Sequence, residues 1–429
     1  MVLARFLLVL CVFLAPLRAL AAAPTDLPSL LLVTAAASEA AYCGELPELL
    51  RARLVAAGWQ IASYETPGHR GTVGRFFHMV RTDADGAETH LIAFPGTERG
   101  SDVWTDLRIG RAVFGGTTPA EFLSMREAPV TERGETPLVH RGFLDYTQAA
   151  LFTDALPAYG GRTAGEAIAD ELRAYPGAQI YLTGHSLGGA AAVLAAARLS
   201  DLGVSPEQLI VTTFGAPAVG NAAFARRYEG KFTLRRVVMS GDPMKDILAK
   251  PLGFQQFGER VTWSPARSVA KFPHAMTVYV DAAIRRLCDA YGGERAYLFL
   301  METPDRMAGR TLYTLPIETK MDEVLTEDAP YMAAVLRDAL HVRSAHTVFA
   351  AGGGGLHEHL VAARAAGAQE MIAYRIAGTK IRDAHETYRI TLEHAVYDMD
   401  GNLIAAGSRS ARTGTLTPIE TVLYLFAQD

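Results

Sequence analysis

A chain of 429 residues, 49% hydrophobic and 20% charged, has material for one large domain and a smaller one. Its formal charge of −5 provides no basic excess, which argues against nucleic acid as a partner.

At the N-terminus, Arg5 precedes an apolar run from Phe6 to Ala15, and small residues follow at Ala19 and Ala21. The pattern predicts a signal peptide over residues 1–21 and an exported protein, secreted or periplasmic. The run is about half the roughly 20 residues that a membrane-spanning helix needs. Cys43 and Cys288 remain after cleavage. Export permits a disulfide between them, with two buried thiols as the alternative.

From about residue 40 to 285, apolar strands alternate with helical stretches. "LLVTAAASEAAYCGELPELLRARLVAAG" reads as helix closed by Gly58. "THLIAFPGTE" reads as a strand ending in a Pro-Gly turn, and "AQIYLTG" as a strand feeding the helix after Ser186. "QLIVTTFGAP" and "TLRRVVMSGDP" are two more strands, each stopped by Gly and Pro. This alternation predicts a mostly parallel sheet covered by helices on both faces. Beyond 285 the pattern changes. "DAPYMAAVLRDALHV" reads as a helix capped by Asp328, and a "GGGG" run precedes a second helix, "LHEHLVAARAAGAQ". Two strand candidates follow, "EMIAYRIAG" and "TYRITLEHAVYDMDGNLIAAGS", the second folding back at Asp400-Gly401. Residues 340–429 thus read as a small α/β domain whose sequence identifies no chemistry, joined through a segment at 301–339.

The densest chemical signal is Gly184-His185-Ser186-Leu187-Gly188. In a G-x-S-x-G turn between strand and helix the serine sits on a strained backbone, and larger neighbours would clash. The hydroxyl stands clear of the sheet, and the Leu187 amide, at the helix start, faces a developing oxyanion. An ordinary helix cap is the plainer alternative. A serine needs a base, and the expected order on this sheet is Ser, then Asp or Glu, then His. Asp242 follows a strand end and His274 comes later, with Asp246 the nearest rival carboxylate. His140, His185, His341 and His346 are the competing histidines; His185 adjoins the serine and is expected to point away from it. The second oxyanion donor belongs on the loop after an earlier strand, where Gly96 and Thr97 stand. His357-Glu358-His359 reads as a solvated helix face rather than a metal site; no metal or cofactor is expected.

Six segments in order, "AAYC", "FPGTERGSDVWTDL", "VHRGF", "GHSLGG", "TFGAPAVGN" and "RVVMSGDPM", together resemble the class 3, fungal-type lipases over about residues 38–283. The resemblance implies an α/β-hydrolase fold over residues 27–300. It implies Ser186 as nucleophile with Asp242 and His274, an oxyanion hole of Thr97 and Leu187, and a lid at or near Ser101 to Leu107. Val103 and Trp104 would then touch lipid; the other reading of Trp104 is core packing. The implied substrates are acylglycerols or phospholipids at a membrane or lipid–water interface. A soluble-ester or polysaccharide esterase on the same fold, and an envelope binding protein with a vestigial site, are the alternatives. Pro95 stands where the family usually has arginine.

Overall fold

The computed structural model describes residues 26–68, 71–82, 86, 88–97, 110–130, 134–248, 252–269, 273–292, 311–344, 346–381 and 387–428. The segment expected to be a signal peptide, and Val103 and Trp104, lie outside them. The chain divides into two compact units between Ser264 and Pro265, ahead of the boundary near 300 that the sequence suggested.

The first unit is built on seven strands: β1 (Trp59–Pro67), β2 (Val73–Thr82), β3 (Glu88–Phe94), β4 (Ile180–His185), β5 (Leu209–Phe214), β6 (Thr233–Met239) and β7 (Glu259–Trp263). They lie side by side in chain order; β1, β2 and β3 pair antiparallel, and every pairing from β3 to β7 is parallel. Flanking helices include α1 (Leu27–Ala40), α2 (Glu45–Ala56), α3 (Ala164–Ala174) and α4 (Leu187–Asp201). This is the mostly parallel, helix-flanked sheet of an α/β-hydrolase.

The stretch expected as one helix is two. Asp26 caps α1 by accepting from the Ser29 amide at 2.9 Å, and Pro28 occupies the first turn. The helix stops at Ala40, and Gly44, at φ 129°, starts α2 in a conformation that other residues rarely adopt. Helix α1 is buried continuously from Leu30 to Ala40, so alanines and serines replace the bulkier residues of a surface helix. Ser38 Oγ lies 2.9 Å from Thr183 Oγ1 on β4, so a polar contact joins helix and strand inside the layer. Phe76, Phe94 and Phe143 are fully buried in the core of this unit, each phenyl stabilising by about 2 kcal/mol.

The second unit holds β8 (Leu312–Thr314), β9 (Glu318–Met321), β10 (Thr347–Phe349), β11 (Glu370–Lys380), β12 (Tyr388–Tyr397) and β13 (Leu403–Arg412). The order is β10-β8-β11-β12-β13, with β9 also parallel to β11. The segment expected to be a connector therefore supplies two strands of this sheet. Strands β12 and β13 form the expected hairpin, its turn closed by the Asp398 amide on the Asn402 carbonyl, with Gly401 at φ 87°.

Its helices are α5 (Met276–Tyr291), α6 (Ala329–Arg343), α7 (Leu356–Ala365) and α8 (Pro418–Ala427). Asp328 precedes α6 as expected, yet its carboxylate does not cap it. Instead it pairs with Arg285 of α5 and accepts from Ser268 Oγ at 3.0 Å, while Arg285 Nε also meets Asp281 at 2.5 Å. A long-range ion pair has outcompeted the local cap. Cys288 is a buried thiol, pushed up to about 12 chiefly by that burial, whereas Cys43 is exposed. No described helix is long and apolar enough to cross a membrane.

Candidate active site

Strand β4 runs without a loop into α4, and Ser186 is the hinge. Its backbone lies at φ 53°, ψ −118°; among the described residues no other non-glycine has positive φ. Such a conformation costs on the order of 1–3 kcal/mol and persists only where the surroundings enforce it. They do so from three sides. The Ser186 amide donates to the Phe214 carbonyl at the end of β5 at 3.0 Å, and the Ser186 carbonyl accepts from the Ala190 amide at 3.1 Å. The glycines close the rest. A Cβ on Gly184 would stand 2.3 Å from the carbonyl carbon of Gly188, and one on Gly188 would stand 2.1 Å from the Phe94 carbonyl oxygen. No side chain fits either place.

That second approach carries a structural message. The first turn of α4 lies directly against Phe94 and Pro95, so the loop after β3 is held beside the serine turn. Gly96 continues the contact: a Cβ there would fall 2.8 Å from the His185 carbonyl oxygen and 1.9 Å from Tyr42 Oη. Tyr42 Oη is in turn 2.7 Å from His185 Nδ1. Tyr42 thus wedges between the residue before the serine and the loop that leads to Thr97. Its segment, "AAYC", was legible as a motif, but the contact joins residues far apart in the chain, and no local signal reveals it. Where the family usually has arginine, the Pro95 carbonyl accepts from the Tyr146 hydroxyl at 3.4 Å; that hydroxyl also donates to the Arg75 carbonyl at 2.9 Å.

The structure therefore brings Ser186, Leu187 and the Phe94–Gly96 loop together, with Thr97 the next residue on that loop. Leu187 opens α4, so its amide belongs to the positive end of the helix dipole. Asp242 lies beyond the carboxyl end of β6, two strands across from β4 and on the same edge of the parallel sheet. It is buried; its amide donates to the Met239 carbonyl at 3.1 Å, and its Oδ1 accepts from the Met244 amide at 2.8 Å. His274 belongs to the second unit, half-buried in the turn before α5. Of the rival histidines, His140 caps the helix Arg141–Gln148 by accepting from the Phe143 amide at 3.4 Å, and burial lowers it to about 4.

One further ionisable group lies close in sequence to Tyr42. Glu39, on the last turn of α1, is buried, and desolvation raises its carboxyl to about 7. The folded chain therefore holds this proton more tightly than the unfolded chain does, so unfolding releases a proton between about pH 4.5 and 7. Stability contributed here is full at the acid end of that window and declines as pH rises through it. Glu39→Gln is expected to remove this slope and to gain about 3 kcal/mol at pH 8 but little at pH 4.5. Urea titrations of both proteins at the two pH values check it; equal slopes would refute the assignment.

The class 3 lipase family model matches residues 91–250. The chain is 35% identical over 127 residues to a lipase of Rhizomucor miehei, covering 28% of this chain and 31% of that one. It is 38% identical over 98 residues to a secreted mono- and diacylglycerol lipase of Gibberella zeae, covering 20% and 24%. Among solved structures it is similar to lipase II from Rhizopus niveus, with 21% identity, a TM-score of 0.40, and coverage of 60% of this chain and 85% of that one. The chain spans between a fifth and about a third of the length of the curated relatives it first matches.

Proposed function

Residues 91–250 belong to the class 3 lipase family, and from that premise we propose that this is an exported lipase hydrolysing carboxylic esters of acylglycerols or phospholipids. The observation that carries the reading is Ser186 itself: the one non-glycine of positive φ among the described residues, at φ 53°, wedged between glycines at a strand-to-helix turn. A fold rarely sustains such strain without a use for the side chain it displays.

The mechanism follows from the residues. His274 takes the proton from Ser186 as Oγ attacks the ester carbonyl, and Asp242 holds the imidazole and supports its charge. The amides of Leu187 and Thr97 receive the tetrahedral oxyanion, each worth about 3 kcal/mol. The close packing of Gly96 and Gly188 supports this, because it leaves the two donors no slack relative to each other. The protonated imidazole then gives its proton to the departing alcohol; water enters through the same base, and the fatty acid leaves. Val103 and Trp104 are proposed to border the site as part of a lid. Export is part of the proposal: the N-terminal pattern at 1–21 calls for it, and the Gibberella relative is named as secreted.

A panel of p-nitrophenyl esters from acetate to palmitate, presented below and above the solubility limit, tests the substrate class. A lipase is expected to turn over the long chains and to rise in rate once an interface forms. Turnover of short soluble esters alone would reassign it as an esterase. Turnover of none, with the fold intact, would leave a binding protein.

A further inference from the structure

The second unit has a distinct geometry of its own at the glycine run, outside residues 91–250. Strands β10, β8 and β11 are parallel neighbours, with β8 in the middle. The chain passes through α6 to β10 on one side of β8, then through α7 to β11 on the other. The loop from β10 to α7 leaves the carboxyl end of β10, the edge strand beside β8.

The loop is Ala350 to Gly355, and its glycines are exposed. Gly353 and Gly354 have φ of 75° and 115°, conformations that other residues rarely adopt. Among the described residues, the amides of Gly353, Gly354, Leu356 and His357 donate to nothing, whereas the Gly355 amide donates to the Glu358 carboxylate at 3.1 Å. Four open donors and the positive end of a ten-residue helix therefore sit on this loop and the first turn of α7.

A buried side chain points there as well. His359 is only 9% exposed, a correction to the solvated face expected for His357-Glu358-His359; its two neighbours are exposed. Its Nδ1 faces Tyr313 Oη at 3.5 Å, a residue of β8 in the same apolar cluster as Leu360 and Met371. With Nδ1 accepting from the tyrosine, Nε2 carries the hydrogen. That Nε2 has no partner among the described residues and lies 3.4 Å from where a Gly354 Cβ would stand. A Cβ there would also meet Glu358 Oε2 at 2.7 Å, so only glycine leaves the cradle open.

We propose that residues 352–355, the first turn of α7 and His359 Nε2 form a phosphate-binding site. The donor set contains amides, a helix terminus and an imidazole N–H, with no lysine or arginine required, which is the chemistry of a phosphate cradle. Glu358 is its internal competitor: its carboxylate already occupies one amide of the site and repels an incoming dianion. The phosphate could be free or part of a lipid headgroup.

Calorimetric titration of the full chain with inorganic phosphate, at fixed ionic strength, tests this. Glu358→Gln keeps the bond to Gly355 but removes the charge, and is expected to tighten phosphate binding about fivefold. His359→Phe keeps the ring packing but removes the donor, and is expected to weaken binding about tenfold. His359→Gln, which restores a donor, is expected to recover part of it. The opposite signs matter, since a general loss of fold moves all variants one way; unaltered ester hydrolysis confirms integrity. No saturable heat in either the wild type or Glu358→Gln overturns the proposal, as does equal affinity in all four proteins. Vesicles of phosphatidic acid, compared with phosphatidylcholine, identify the source. Release of vesicle-bound protein by inorganic phosphate assigns a lipid headgroup, and phosphate binding without vesicle capture assigns a free phosphate.

Discussion

Ser186→Ala is expected to lower kcat on ester substrates by about 10⁴- to 10⁶-fold while leaving the protein folded. The size follows from chemistry: no other hydroxyl stands on the strained turn, and what remains without it is stabilisation by the oxyanion amides and binding alone. Alanine is the right replacement because it fits the same φ no worse than serine does, so the strain is retained and only Oγ is lost. KM is expected to change little, since the hydroxyl contributes to the transition state rather than to ground-state binding. A variant that kept a tenth of the activity would remove Ser186 from the reaction, and the proposed mechanism with it.

The second large effect concerns the proposed base and its proposed carboxylate. His274→Ala is expected to cost about 10⁴-fold or more in kcat, and Asp242→Asn about 10⁴-fold. The double variant is expected to be hardly worse than His274→Ala alone. Groups that act as one device fail together, because an aspartate with no imidazole to orient has nothing left to do. Multiplied losses would mean that Asp242 and His274 work independently, and near-wild-type activity in His274→Ala would hand the base to another histidine. Asp242 has a structural duty too, since its Oδ1 accepts from the Met244 amide; asparagine keeps that acceptor, which is why it is the better probe than alanine.

Much of the fold could be read from the chain because its signals are local. The serine turn declares itself through glycines that no other residue can replace, and the parallel strands through short apolar runs stopped by Gly and Pro. Strands β1 and β2 gave no such signal: "WQIASYETP" and "VGRFFHMVRT" mix polar and apolar residues on both faces, and their pairing with each other supplies what their composition does not. The break between α1 and α2 was hidden because strong helix formers stand on both sides of it, alanine before and leucine, glutamate and arginine after. Asp328 looked like a cap and is one in position only, because Arg285, 43 residues earlier, claims its carboxylate. At the site, Ser186, Leu187 and the Gly96 loop were legible as types and as order. The wedge formed by Tyr42 was not, since close approach between distant segments leaves no trace in either one alone.

The serine's strand, β4, is the fourth of seven, with three on either side. Margins of a sheet breathe first, and the interior opens only when the whole layer gives way. The Ser186 hydroxyl, mounted on the midline, is thus insulated from fraying at β1 or β7, and transient loss of either border strand leaves the bond from the Ser186 amide to β5 in place. The molecule can lend its periphery to motion without loosening the turn that holds Ser186.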